Sequence, residues 1–182
     1  MTGLRLITPP ATLPITLAEA KTHLAVDHSD HDAMIMGFVR AALSHVERSA
    51  SCAFEAQTWE IALDEFPCAE IMIPIGPLQS VVSVTYTDID GAWQTVSSDD
   101  YEVDLSSRDG WVVPVTSWPS TMEAINAVRV QFIAGGGTPE DVKQAMLLLL
   151  GHWYASREAG GASESIPFGV EALMGLNRRM FV

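Results

Sequence analysis

Thr138-Pro139-Glu140-Asp141-Val142-Lys143-Gln144-Ala145-Met146-Leu147-Leu148-Leu149-Leu150-Gly151-His152-Trp153-Tyr154 is the stretch that decides the architecture. It opens as a helix start. The threonine caps, the proline takes the first helical position without losing a needed N–H, and two acids face the positive end of the dipole. Residues 145–150 are all apolar, and Trp153 and Tyr154 follow. A helix running to about residue 158 with an apolar circumference is expected to be buried on all sides, by its own chain or by neighbouring subunits.

Immediately upstream, Gly135-Gly136-Gly137 separates this helix from a region of different period. Trp59, Ile61 and Leu63 alternate with Thr58, Glu60, Ala62 and Asp64, which predicts a half-buried strand. Residues 71–73 and 81–87 predict two more, split by the breaker Pro74, Gly76 and Pro77. Asp88-Ile89-Asp90-Gly91 is a turn into a strand at 93–96. Residues 101–105, 111–115 and 127–133 complete six or seven short strands, with Pro114 and Pro119 marking an edge or irregular piece.

The beginning of the chain is helical again. Residues 1–15 carry Pro9, Pro10 and Pro14 and are expected to be an extended lead-in. Thr16 with Glu19 three residues on is a capping box, opening a short helix to about Leu24. Ser29 or Asp30 caps a second helix, on which Met34, Ile35, Phe38, Val39, Ala42, Leu43 and Val46 form one apolar stripe. After the long helix, Ala159-Gly160-Gly161-Ala162-Ser163 reads as a flexible linker. The fold class expected is therefore α+β in one domain. Residues 14–51 and 138–180 form a small helical core, and an antiparallel β module is inserted at about 55–135.

Charge follows the same partition. Residues 55–126 hold thirteen acids and one base, Arg108, whereas the whole chain has a formal charge of −13. Acid excess argues against binding free DNA or RNA, because duplex binders displace counterions with clustered Lys and Arg. The longest apolar run is six residues, too short for a membrane span. Cys52 and Cys68 show no metal-ligand spacing and read as reduced thiols.

Motifs that carry chemistry are weak. His28, Asp30, His31 and Asp32 are the only metal-like cluster, but they sit where such residues cap backbone N–H groups. His152 beside Trp153 reads as a core or interface histidine. Asp88 and Asp90 lack the downstream glutamate of a calcium loop. The triple glycine is followed by acids rather than by the lysine of a phosphate cradle. No catalytic residue, no metal site and no cofactor is expected. The residues after 159 are more telling. Pro167, Phe168, Val170, Leu173, Met174, Arg178, Arg179, Met180, Phe181 and Val182 combine an apolar stripe with a basic end, the pattern of a segment that docks on a partner.

Several motifs, in order, resemble tailed-phage head–tail connector proteins, also called adaptors or head-completion proteins. The opening Ile15-Thr16-Leu17-Ala18-Glu19-Ala20-Lys21-Thr22-His23-Leu24 with Asp30-His31-Asp32-Ala33 is one. Gln57-Thr58-Trp59, Phe66-Pro67 and Ile73-Pro74-Ile75-Gly76-Pro77-Leu78-Gln79-Ser80-Val81 are similar to the branch found in phages, prophages and gene transfer agents. So are Leu149-Leu150-Gly151-His152-Trp153-Tyr154-Ala155-Ser156-Arg157-Glu158 and Ile166-Pro167-Phe168-Gly169-Val170. At 135–137 that branch would carry glycine followed by an aromatic.

The resemblance implies a structural virion component in the neck and no enzyme activity. Copies, usually twelve, would form a ring beneath the portal protein, extend the DNA channel without binding DNA specifically, and meet the stopper or tail-neck protein. It implies portal docking by the segment from Pro167 to Val182. It implies core and subunit contacts by Val142, Met146, Leu149, Leu150, Trp153 and Tyr154. The competing readings are a monomeric cytosolic ligand- or peptide-binding module and a small hydrolase using carboxylate and histidine.

Overall fold

A computed structural model describes residues 2–107, 110–156 and 168–175. The chain divides into two compact units, each built from two separate segments. Thr12–Phe54 with Gly137–Val182 makes a helical unit, and Met1–Ala11 with Glu55–Gly136 makes a β unit.

The helical unit contains α1 (Leu17–Leu24), α2 (Asp32–Ala50), α3 (Glu140–Ala155) and α4 (Phe168–Gly175). The capping box of α1 forms as the sequence predicts: the Glu19 N–H donates to Thr16 Oγ1 at 3.2 Å, and the Thr16 N–H donates to Glu19 Oε2 at 2.7 Å. Removing that hydroxyl orphans one helix-end donor. Thr16→Ala is therefore expected to lose about 1 kcal/mol, read as a lower urea midpoint at an unchanged m value.

Along α2 the stripe Ile35, Val39, Ala42, Leu43, Val46 and Ala50 is buried, against Val142, Ala145, Met146, Leu149 and Leu150 of α3. The α2 start differs from expectation. His31 is the N-cap residue and no side chain caps it. The start of α3 also differs: Pro139, in extended backbone, is its N-cap, without a side-chain hydrogen bond. Nor is α3 buried all round. Leu147 and Leu148 are only partly covered and Gln144 is exposed, because the other three helices surround α3 incompletely.

The β unit holds two antiparallel sheets. The larger has the order β1 (Thr2–Thr8), β2 (Gln57–Leu63), β8 (Val128–Ala134), β4 (Leu78–Thr87), β5 (Trp93–Thr95). The smaller has the order β3 (Ile71–Met72), β7 (Trp111–Pro114), β6 (Tyr101–Asp104). The central strand β8 alternates strictly: Val128, Val130, Phe132 and Ala134 are buried, and the residues between are half-exposed. Ile61 and Val84 lie opposite Val130 on the same buried face.

One expectation changes here. The proline-rich lead-in begins as a strand, β1, in register with β2 through Leu4↔Ile61 and Arg5↔Glu60. Pro114 pairs only toward β6, because β3 meets β7 no further than Val112, so the position is locally an edge. It is the last residue of β7, where a missing N–H interrupts the ladder least.

Candidate assembly surfaces

The helical unit settles where part of the C-terminal segment lies. Val170 and Met174, at 2% and 3% exposure, join the core cluster with α2 and α3, and Leu173 packs on its margin. Gly169 sits where a Cβ would come within 3.4 Å of Leu148 Cδ1, so α4 lies close along the half-covered side of α3. Phe168 points the other way and is 83% exposed. Pro167, Arg178, Arg179, Met180, Phe181 and Val182 lie outside the described residues.

The residues expected on the core helix divide similarly. Val142, Met146, Leu149 and Leu150 are fully buried within their own unit and leave no apolar surface for a neighbour. Trp153 and Tyr154 are half-buried. Trp153 packs between Phe38 and His45, and the Tyr154 hydroxyl lies 2.7 Å from His31 Nδ1. This explains the histidine–aspartate cluster of the α1–α2 turn. His31 is tied to α3, Lys21 bridges to Asp32 at 2.8 Å, and His28 stands edge-on to His31. Among the described residues no group of three or more His, Cys, Asp or Glu side chains is placed to hold a metal ion. No described helix is long and apolar enough to cross a membrane.

In the β unit the Asp88 turn organises itself. Its carboxylate accepts from the Gln94 side chain and from the N–H groups of Asp90 and Ala92, the Gln94 bond foremost in holding it below the usual aspartate range. Asp104 does the same for Ser106 and Ser107. Phe66 stacks on Trp118 with ring centroids 4.7 Å apart, and Trp118 Nε1 donates to the Ala69 carbonyl, pinning the β2–β3 connection. An open cleft of about 450 Å³ lies beside it, floored by Leu63, Ile71 and Met72 and rimmed by Glu65 and Glu70.

The opposite face of the large sheet is polar. Register aligns Arg5, Glu60 and Gln131 across β1, β2 and β8. Glu60, 7% exposed, accepts from Arg5 Nη2 and from Gln131 Nε2, both at 3.0 Å. Two residues along β8, the Arg129 guanidinium lies over Trp93, 4.8 Å from the ring centroid. Sequence reading passed over Arg5, Arg129 and Trp93. Arg5 carried no signal, because its neighbours Leu4 and Leu6 are themselves exposed.

The head completion protein family matches residues 14–169. The chain belongs to the head completion protein family. That match takes in α1, α2, α3, the first two residues of α4 and every described strand except β1. No curated protein matches the chain in sequence.

Solved structures of similar fold cover it end to end. A chain from the neck of an empty gene transfer agent particle, computed with C6 symmetry, is 24% identical with a TM-score of 0.81, over 99% of this chain and 97% of that one. A chain from the virion of a native gene transfer agent particle is 24% identical with a TM-score of 0.80, over 98% and 96%. One from the neck of a native particle, computed with C12 symmetry, is 25% identical with a TM-score of 0.77, over 99% and 97%.

Proposed function

We propose that this head completion protein is a structural head–tail connector of the virion neck. Both units act as one connector domain. Copies form a ring, on the order of the twelve implied by the resemblance, beneath the portal, extending the DNA channel toward the stopper or tail-neck protein. The observation that carries this reading is the end-to-end match with chains from necks computed with C6 and C12 symmetry. The charge distribution supports it: a channel passes DNA when its walls repel phosphate, and the exposed acids of the β unit do so. No reaction chemistry enters the role.

The portal contact falls to Phe168 and to the segment that continues past α4 toward Arg178, Arg179, Met180, Phe181 and Val182. Val170 and Met174 serve it indirectly, by anchoring α4 in the core. Full chain and a chain ending at Gly175 should therefore differ when each is co-expressed with the cognate portal and weighed by native mass spectrometry. The full chain is expected to load the portal with a ring, and the shortened one to remain folded and unbound. Binding by both would sink tail docking; binding by neither would sink the connector reading.

A further inference from the structure

We propose that the polar face of the large sheet, around Arg5, Arg129 and Trp93, is a contact between copies and receives the Asp99-Asp100-Glu102 segment of a neighbouring copy. This rests on the ring reading above and names where neighbours touch.

The receiving side is under-satisfied. Glu60 is fully engaged by Arg5 and Gln131. Arg129 Nε is buried without a hydrogen-bond partner, and the residue as a whole remains partly exposed. An orphaned guanidine N–H in a folded chain asks for an acceptor. Beside it lies a cleft of about 230 Å³, lined by Gly3, Arg5, Glu60, Ala62, Asn126 and Arg129. Trp93 is 53% exposed and stiffens the guanidinium from below. A planar guanidinium held on an aromatic ring, with a second arginine nearby, presents the fork geometry that carboxylates fit.

Charge selects the occupant. Among the described residues of the β unit, Arg5 and Arg129 are the only Lys or Arg, and both lie on this face. Copies this acidic repel one another when set side by side, unless the cations of one meet acids of the next. Many acids are already committed within their own chain: Asp88, Asp104, Asp64 and Glu60 all accept hydrogen bonds. Asp99, Asp100 and Glu102 are exposed, and their carboxylates have no partner among the described residues. They stand three in four residues, on the short 3-10 turn Ser98–Asp100 and the start of β6, in the other sheet. A contact between two different patches of the same protein is heterologous, the type that builds a ring when the rotation between copies closes.

The test is ring loading of the cognate portal, by native mass spectrometry across a salt series. Three full-length variants are compared with the parent: Asp99→Asn/Asp100→Asn/Glu102→Gln, Arg129→Gln, and the two combined. Each of the first two is expected to weaken loading about tenfold at fixed salt and to flatten its salt dependence. The combined variant should be no worse than either, because all three lose one contact. Parent-like loading by the acid variant, or additive losses in the combination, would overturn the contact. The acid variant decides alone if Arg129→Gln fails to fold, since its three positions are exposed. Failure of the unaltered chain to load removes the ring reading and this contact with it.

Discussion

Gly135→Ala is expected to cost about 3–5 kcal/mol, a large fraction of the 5–15 kcal/mol that holds an ordinary domain together. Two separate penalties combine. Gly135 has φ +132°, a region that side chains rarely enter. A Cβ there would also fall on the backbone of Glu55 and Ala56, which cannot move aside as a side chain could. The surrounding bonds fix the position: the Gly135 N–H donates to the Pro77 carbonyl at 2.9 Å, and its own carbonyl accepts from Gln79. Gly137→Ala is the control, because Gly137 also has positive φ (+91°) but open space around the missing Cβ. It should cost only about 1 kcal/mol. Urea unfolding of both variants checks this, and equal losses would show that backbone strain alone, without the clash, sets the cost.

Ending the chain at residue 167 is expected to destabilise the helical unit by roughly 3–6 kcal/mol, because Val170 and Met174 each contribute about 1.5–3 kcal/mol by leaving water. Their removal also bares Leu148 and the α3 surface that α4 covers. Ending the chain at Gly175 removes none of these contacts. The comparison matters for function. A chain cut in the glycine linker would lose portal binding simply by loosening its core, whereas one ending at Gly175 isolates the docking segment. Circular dichroism at increasing urea should show a lowered midpoint for the first and a parent-like one for the second. A parent-like midpoint for both would mean that α4 contributes little to the core.

Periodicity made most elements legible. The 3.6-residue stripe of α2 and the two-residue alternation of β2 and β8 are each driven by one buried face, so the pattern records the burial. β1 was illegible for the converse reason. Leu4, Leu6 and Ile7 are all exposed, so no burial imprints an alternation, and the prolines that follow read simply as extended chain. Two helix starts were misplaced by a residue or two: α2 begins behind His31 and α3 behind Pro139.

Site residues were legible by type and not by partner. The spacing of Val170 and Met174 announces an apolar face, but sequence does not say whether that face meets its own chain or another. Arg129 and Trp93 are 36 positions apart and meet only because β4 lies between β8 and β5. That juxtaposition depends on strand order, which no local pattern encodes.

The interleaving of the two units has a consequence for the ribosome. β1 emerges ahead of α1 and α2, yet its pairing partner β2 follows more than fifty residues later, behind both helices. Those helices wait in turn for α3, which is made only after every strand. A nascent chain therefore cannot finish one unit before starting the other. Most of its contacts are non-local and must await synthesis of β8 and α3. Folding of both units therefore waits until α3 has left the ribosome, and the half-made chain carries an unpaired strand and an uncovered helix face for the whole of that interval.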